Sequence, residues 1–345
     1  MAYQDVKIQR TVNSPLKVKR TIYREPENPV RFAYEKLLRE RDRTKRVFTG
    51  INPYAEVYTF RENLYGILTL SLDGMGNPWI FVIDGPERAL VIDTSFGLGD
   101  LKSLIEELIG KDKEYFVANT HSHFDHAYGN FQFDKVYCHE YEVPLLTSKR
   151  NPHIWDYLFD ENGNGIWADF DRNDLVPFRE YEIVGVPDGY LFDLGQGHEI
   201  ELVWLPGHSP GHCGFLDKKN RIFFPGDDCC VGNVGAGGGG TPGQEYREYL
   251  TIEALTKELR KVIARMDEFD SMFPSHGPVE TGPVMLLSLL ETCEEVLADP
   301  SDYDYRKDVE RNGRKFTQYG KRIFESGYLT YTENGVYMDH AAEIR

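Results

Sequence analysis

The pattern of hydrophobic and polar residues along the chain predicts short strands with helices between them. Runs rich in aromatic and β-branched residues, separated by turn signals such as Asp73-Gly74, are typical of antiparallel strands. Between Leu98 and Ile109, apolar residues three and four positions apart predict an amphipathic helix that ends at Gly110. The other predicted elements are strands at 55–60, 65–72, 79–84, 89–93, 115–119, 135–139, 199–204, 214–217, 221–224 and 271–273, and helices at 252–266 and 284–297.

These elements indicate an α+β fold in which stacked sheets are covered by helices. The chain has 345 residues, of which 41% are hydrophobic, so a large core can form. We divide it into a basic N-terminal arm (1–50), a body (51–281) and a C-terminal extension (282–345). The body includes an insertion at 150–185 and a glycine-rich loop at 232–243. We expect the extension to be helical and to pack on the body.

Charge is distributed unevenly along the chain. The formal net charge of −17 argues against a general surface for nucleic acid or for an anionic membrane. Residues 1–47, however, contain 13 Lys and Arg against 6 Asp and Glu, a balance of +7, so the rest of the chain carries −24. We expect the arm to lie on the acidic body or across the interface of a homodimer. A nucleic-acid-binding tail is the alternative, although such tails concentrate their charge more densely.

The N-terminus and the cysteines bear on where the protein works. The first residues lack the apolar segment of a secretory signal, and the longest apolar stretch, Tyr65–Val82, is interrupted by Asp73, Gly74 and Gly76. The five cysteines form an odd set without a spacing pattern. Reduced thiols in a cytoplasmic protein without a membrane span are therefore expected.

The densest chemical signal is a run of three histidines and one aspartate within residues 121–126, directly after the apolar run 115–118. Imidazole and carboxylate groups bind Zn²⁺, Mn²⁺ and iron well. On an extended or turning backbone, His121 and His123 project the same way, so both can bind one ion. Asp125 and His126 face a neighbouring position that can hold a second ion. The alternative is a surface turn in which the histidines coincide by chance.

Three further ligand-type residues follow short strands. Each of His208, Asp227 and His276 comes directly after a strand and a turn that contains proline. Each residue taken alone is typical of a polar surface position. Three strand-end loops that each present one ligand, together with the histidine run, indicate a metal site on a rigid scaffold.

At these positions the chain resembles the metallo-β-lactamase superfamily, which includes glyoxalase II-like thioesterases and lactonases. The matching segments appear in the family's order over about residues 55–280. They are Asp93 in VIDT, HSHFDH at 121–126, PGHSPGH at 206–212, PGD at 225–227 and SHG at 275–277. The resemblance implies a four-layer αββα sandwich, with residues 51–281 as the catalytic domain.

The resemblance also implies two divalent ions, zinc first, with manganese or iron as alternatives. Asp227 would bridge the two ions, and Asp93 would orient the loops behind them without binding metal. The residues that the resemblance assigns to the ions are His121, His123 and His208 for the first, and Asp125, His126 and His276 for the second.

The implied activity is hydrolysis of an ester, thioester, lactone or amide of a small molecule by a metal-bound hydroxide. Asp125 and Asp227 would serve catalysis as well as metal binding, and Tyr249 could hold the oxyanion. Asp at 227 instead of Cys, together with His126, points away from one class of true β-lactamases. The alternatives are a β-lactamase-type amide hydrolase and a mononuclear iron redox enzyme such as a persulfide dioxygenase, which has fewer ligands. A regulator that retains only the fold would have lost ligands.

Two other segments carry candidate functions. Residues 160–171 have the oxygen-ligand spacing of a calcium loop, with a turn-rich acidic loop as the alternative. The candidate calcium ligands are Asp160, Asn162, Asn164 and Asp171. The glycine-rich loop 232–243 begins just after Asp227, so we expect a mobile lid or substrate loop in preference to a linker.

Removal of residues 1–47 should lower the melting temperature or shift the oligomeric state. The +7 charge of the arm against −24 elsewhere gives long-range attraction, and the arm carries apolar residues that a free tail would not need. Size-exclusion chromatography and thermal unfolding measure both effects. A truncated protein with the same size, melting temperature and activity would identify the arm as a disordered appendage.

Overall fold

The computed structural model describes residues 22–23, 39, 42–74, 76–311, 314–324 and 326–343. Its helices are α1 (Leu101–Ile109), α2 (Phe124–Ala127), α3 (Val143–Ser148), α4 (Ile252–Ile263), α5 (Met285–Ala298) and α6 (Met338–Glu343). Its strands are β1 (Ile22–Tyr23), β2 (Ala55–Arg61), β3 (Leu64–Thr69), β4 (Trp79–Asp84), β5 (Arg88–Ile92), β6 (Glu114–Ala118), β7 (Lys135–His139), β8 (Ala168–Asp169), β9 (Glu182–Val186), β10 (Leu191–Asp193), β11 (Glu199–Trp204), β12 (Cys213–Asp217), β13 (Ile222–Phe224), β14 (Asn233–Gly235), β15 (Ser271–Met272), β16 (Tyr305–Arg311), β17 (Arg314–Ile323) and β18 (Gly327–Tyr331).

Two sheets form the centre of the molecule. One has the strand order β2-β3-β4-β5-β6-β7-β9, and the other has the order β10-β11-β12-β13-β15. Strand β4 shows how the layers are built, because it is apolar on both faces. Trp79, Phe81 and Ile83 pack between the two sheets, whereas Ile80 and Val82 pack in the cluster that contains helix α1. Such a strand has a near-continuous apolar sequence because neither of its faces meets water.

The outer face of the five-stranded sheet is covered by helices α4 and α5. Val203 and Phe223 of the sheet share one buried cluster with Leu255 and Leu259 of α4 and Leu289 of α5. The layer order is therefore helix, sheet, sheet, helix. The α+β, four-layer αββα sandwich predicted from the sequence is confirmed.

The C-terminal extension differs from the sequence prediction. The helix predicted at 284–297 forms as α5, but three strands, β16 to β18, follow it where further helix was expected. With β14 from the glycine-rich loop they make a four-stranded sheet in the order β14-β18-β17-β16. The extension packs on the body, because Ile323, Leu329 and Tyr331 lie in the same buried cluster as α4 and α5.

Most of the N-terminal arm lies outside the described residues. Where it is described, it pairs with the body: Ile22–Tyr23 is antiparallel to Ala168–Asp169 of the insertion. Arg46 exchanges backbone hydrogen bonds of 2.8 and 2.9 Å with Val57. Whether the arm also contributes to a dimer stays a prediction.

Two further features concern the whole described chain. None of its helices is both long enough and apolar enough to cross a membrane. All five cysteines lie in the described part of the chain, where they are buried and unpaired.

Replacing Leu329 with Ala should lower the free energy of unfolding by about 2–5 kcal/mol, because it leaves a cavity where a fully buried side chain joins the extension to the body. Urea denaturation should show one shifted transition. The control is Phe324→Ala, since this side chain is 65% exposed and its loss should change stability by no more than about 0.5 kcal/mol. An unshifted midpoint for Leu329→Ala would mean that the terminal sheet docks only loosely.

Candidate metal centre

The loops that follow four strands meet at one point beside the two central sheets. The loop after β6 and the short helix α2 carry the histidine run 121–126. The loops after β11, β13 and β15 carry His208, Asp227 and His276 respectively. All seven ligand residues predicted from the sequence come together there, in three overlapping groups. The groups are His121, His123 and His208; His121, His126 and Asp227; and Asp125, His126 and His276.

The first set of ligand atoms surrounds His123. Its Nδ1 lies 2.9 Å from His121 Nε2 and 2.9 Å from His208 Nε2. Asp227 Oδ2 lies 3.4 Å from His208 Nε2 and 3.9 Å from His121 Nε2. These four side chains therefore converge on a single position.

The second set surrounds His276. Its Nε2 lies 3.2 Å from His126 Nε2 and 3.2 Å from Asp125 Oδ2. Asp227 Oδ1 lies 3.6 Å from His276 Nε2, while Oδ2 lies 3.5 Å from His126 Nε2. The carboxylate of Asp227 thus stands between the two sets, with Oδ1 toward His276 and Oδ2 toward the first set.

Hydrogen bonds behind the histidines decide which nitrogen faces inward. His126 Nδ1 donates to Asp93 Oδ2 at 2.9 Å, His208 Nδ1 donates to the carbonyl of Gly235 at 2.5 Å, and His276 Nδ1 donates to the carbonyl of Asn77 at 3.2 Å. With their protons held at Nδ1, these rings turn the lone pairs of Nε2 toward one another.

Facing lone pairs cannot form hydrogen bonds with each other. The Oδ1 atom of Asp227 is also buried without a hydrogen-bond donor. Inward acceptors at about 3 Å separation need a proton or a metal ion between them, and imidazole nitrogen with carboxylate oxygen is the donor set of zinc and similar divalent ions. The residues present therefore fit the metals that the sequence implies.

Metal binding needs deprotonated ligands, and the surroundings of several of these groups favour that state. Burial and the neighbouring imidazoles hold the pKa of His121 and of His123 well below the usual range. Burial alone would raise the pKa of Asp227, but His126 and His276 hold it well below its usual value. The rings of His126 and His276 are the exceptions. Burial lowers the pKa of both rings, but nearby carboxylates, Asp227 first in each case, outweigh that effect and raise it. A bound metal must therefore displace a proton at each of these two rings.

Asp93 lies behind the ligands and does not reach the centre. It is buried, with φ of 67°, and its Oδ1 accepts the backbone N–H of Thr120 at 2.8 Å. The Thr120 hydroxyl also donates to Asp93 and accepts from His121 Nδ1 at 3.0 Å. Asp93 thereby joins the end of β5 to both His121 and His126.

Sequence reasoning missed Glu142, which is fully buried beside the centre. Its Oε1 accepts the backbone N–H of Ser122 at 2.8 Å. Its Oε2 accepts the hydroxyl of Ser209 at 2.8 Å and the backbone N–H of Gly211 at 2.9 Å. One carboxylate thus connects the loop of His121 to the loop of His208. The sequence offers no signal for this role, because an isolated glutamate is normally exposed.

His212 was also given no role, although it ends the PGHSPGH motif. Its Nε2 accepts the backbone N–H of Asp227 at 3.0 Å, and its Nδ1 donates to the carbonyl of Leu205 at 2.7 Å. His212 therefore fixes the backbone from which Asp227 projects. The position of His212 in the same PGHSPGH motif as the ligand residue His208 is a sequence signal that could have indicated this role.

A cavity of about 680 Å³ opens over the ligands. Tyr249, the predicted oxyanion residue, is not among the described residues that line it. Its ring stacks on Tyr141 with 5.0 Å between the centroids. The tyrosine that lines the cavity is Tyr305 of the terminal sheet. Tyr249 therefore lies outside this lining, and its role as an oxyanion residue stays a prediction.

The glycine-rich loop lies beside the centre, as expected, but it is packed instead of free. Gly237 N–H donates to the Gly207 carbonyl at 3.0 Å, and Gly239 N–H donates to the Leu250 carbonyl at 3.0 Å. A Cβ atom on Gly237, whose φ is 68°, would come within 2.7 Å of the Gly335 carbonyl. Strand β18 also pairs with residues 233–235 of the loop. A change in the loop when substrate binds stays a prediction.

The proposed calcium loop shows ordinary turn contacts. Asp160 Oδ1 accepts the backbone N–H groups of Asn162 and Asn164 at 2.9 and 2.8 Å. Asp171 Oδ1 instead accepts the N–H of Asn173 at 3.0 Å and caps the next turn. Among the described residues, clusters of three or more acidic, His or Cys ligands occur only at the metal centre. Calcium binding stays a prediction.

Glu142→Gln should weaken zinc binding about tenfold to a hundredfold, because the amide nitrogen cannot accept the N–H of Gly211 and the ligand loops lose their common anchor. Competition with a chromophoric chelator measures the affinity, and the melting temperature of the metal-free protein should also fall. Glu140→Gln, an exposed position on the same turn, is the matched control. Unchanged zinc affinity in Glu142→Gln would contradict the anchoring role.

Comparison with known proteins gives a consistent family assignment. The model of the metallo-beta-lactamase superfamily matches residues 73–261, which is more than half of the chain. The acyl-coenzyme A thioesterase MBLAC2 from Bos taurus is 29% identical over 161 residues, covering 43% of this chain and 57% of that protein. The hydroxyacylglutathione hydrolase GloC from Haemophilus influenzae is 26% identical over 153 residues, covering 44% of this chain and 66% of that protein.

The chain thus spans less than two thirds of the length of these curated relatives. Among solved structures, the DIM-1 metallo-beta-lactamase exposed to ceftazidime has 18% sequence identity and a TM-score of 0.48, covering 71% of this chain and 99% of that one. The family match includes the histidine run, His208 and Asp227, and this chain belongs to the metallo-β-lactamase superfamily.

Proposed function

We propose that this protein is a hydrolase of acyl bonds that uses two divalent metal ions and acts on thioesters in preference to other acyl compounds. The observation that carries the proposal is the position of Asp227, whose two oxygens face two different sets of ligands. A single ion would leave one of these sets without a cation. The names of the relatives support the substrate class, since one is a thioesterase and the other a hydrolase of an acylglutathione.

The role of each residue follows from its position in the centre. Bound ions would supply Lewis acidity and water of lowered pKa, the chemistry that acyl hydrolysis needs. His121, His123 and His208 would hold one ion, and His126 and His276 would hold the other with Asp125. Asp227 belongs to both sets. Asp125 Oδ1 also lies 3.6 Å from His126 Nε2, so its carboxylate can orient a water molecule at the second set.

The cavity wall suits an acyl chain. Its apolar part is formed by Leu68, Trp79, Phe124, Val231 and Pro278, close to the ligands His123 and His276 that line the same space. Apolar walls with a few convergent polar groups are typical of sites for small-molecule substrates. An acyl group would lie against these side chains with its carbonyl directed at the ligands.

Metal analysis and a hydrolysis panel test the proposal. The protein should contain about two metal equivalents per chain and should hydrolyse thioesters faster than lactones, β-lactams or phosphodiesters. Asp227→Ala should lose at least one ion and reduce kcat at least about a hundredfold, since it removes the shared ligand. Asp112→Ala, which removes an exposed carboxylate, is the control.

Other outcomes would replace the proposal. One iron per chain with oxygen uptake on a persulfide would favour the mononuclear redox alternative. Preferential cleavage of β-lactams would favour the amide hydrolase. Full turnover and full metal content in Asp227→Ala would contradict the shared-ligand assignment.

A further inference from the structure

One wall of the cavity comes from the terminal sheet, beyond the segment matched by the family. The family match ends at residue 261, whereas Tyr305, Lys307, Gln318 and Thr330 line the same cavity as His123, Asp227 and His276. A substrate that fills this space of about 680 Å³ therefore contacts residues of the extension.

The strand register explains why this sheet presents polar groups to the cavity. Successive side chains of a strand point to opposite faces. Tyr319, Ile323, Leu329 and Tyr331 occupy the face that packs on the body. The alternate positions face the cavity, where Lys307 of β16 stands directly opposite Gln318 of β17.

A glycine lets the ring of Tyr305 pack across the terminal sheet. Gly320 stands opposite Tyr305 in the register, and a Cβ atom there would come within 2.2 Å of the Tyr305 ring. The ring therefore lies flat over the sheet, next to Lys307 on the same face of β16. The wall is thus a packed surface that holds one lysine at the edge of the cavity.

Outside the ligand residues, the charged side chains of the cavity lining are basic, although the protein as a whole is acidic. Apart from the ligands Asp125 and Asp227, the charged residues among the described lining are Arg39 and Lys307. This occurs in a chain with a formal net charge of −17. Lysines elsewhere on the terminal sheet are paired, as Lys321 is with Asp302 at 2.9 Å. Lys307 forms no ion pair with a described residue.

We propose that Lys307, together with Arg39, binds an anionic group of the substrate, a phosphate or a carboxylate, at the edge of the cavity away from the scissile bond. The inference rests on the proposed hydrolase function for the position of that bond. A cation without an ion-pair partner among the described residues keeps its charge available for a ligand, and the guanidinium of Arg39 adds planar donors suited to oxyanions. Gln318, opposite Lys307, can donate its amide N–H to the same group.

Equilibrium binding tests the anion site without turnover. The probes are desulfo-coenzyme A, which carries phosphates, S-methylglutathione, which carries carboxylates, and the uncharged S-methyl-N-acetylcysteamine. Lys307→Ala should raise the Kd of at least one anionic probe on the order of tenfold, and Lys307→Glu should raise it further. Lys307→Arg should retain most of the affinity. Raising the salt concentration should reduce the difference between wild type and Lys307→Ala, because salt screens a charge at the cavity edge.

The matched control is Lys315→Ala, on the same hairpin but on the opposite face, where the lysine pairs with Glu310. This variant should bind all probes like the wild type. A change confined to desulfo-coenzyme A identifies phosphate as the anion, and a change confined to S-methylglutathione identifies carboxylate. Equal Kd values for wild type and Lys307→Ala with both anionic probes would overturn the inference.

Kinetics with the acetyl thioesters of coenzyme A, glutathione and N-acetylcysteamine separates the two proposals. Lys307→Ala should lower the ratio of kcat/KM between an anionic and the uncharged thioester on the order of tenfold, mainly through KM. Hydrolysis with an unchanged ratio overturns the anion site and leaves the hydrolase intact. Lys307-dependent binding of an anionic probe without hydrolysis of any thioester rejects the hydrolase and supports the anion site.

Discussion

The structure depends on one constraint: the lone pairs of several imidazole rings must point at one another. This arrangement is unfavourable without a cation, so it exists only because the opposite nitrogen of each ring is held from behind. Asp93, the carbonyl of Gly235 and the carbonyl of Asn77 perform that task for His126, His208 and His276. Each partner belongs to a different segment, and the whole fold is needed to bring them to one place.

The fold provides the required rigidity through strand ends. Strands β6, β11, β13 and β15 belong to the two central sheets, so the loops that follow them start from fixed positions. Two buried groups then connect these loops to each other. Glu142 joins the loop of His121 to the loop of His208, and His212 fixes the backbone of Asp227. The precision of the centre thus comes from residues that do not bind metal.

The terminal sheet joins this centre to the cavity. Its strand β18 pairs with β14, and the carbonyl of Gly235 in β14 accepts a hydrogen bond from Nδ1 of His208. The same sheet presents Tyr305 and Lys307 to the cavity. One element therefore supports a ligand on one side and forms part of the proposed substrate wall on the other. A change in the packing of the terminal sheet is expected to affect both the position of His208 and the cavity wall. A substitution at Lys307 should affect only the wall.

The sequence by itself determined the body of the fold and the ligand residues. The strand Trp79–Asp84 is apolar up to its last residue because it is buried on both faces, and the histidine run has a composition that packing does not explain. The terminal strands were not predicted, because one of their faces is polar and the other becomes a core only through contact with α4 and α5. Tertiary structure alone decided that Glu142 joins two loops, that Tyr305 and not Tyr249 reaches the cavity, and that the glycine-rich loop is held by β18. These features are contacts between segments far apart in the chain, and local composition carries no record of which segments will meet.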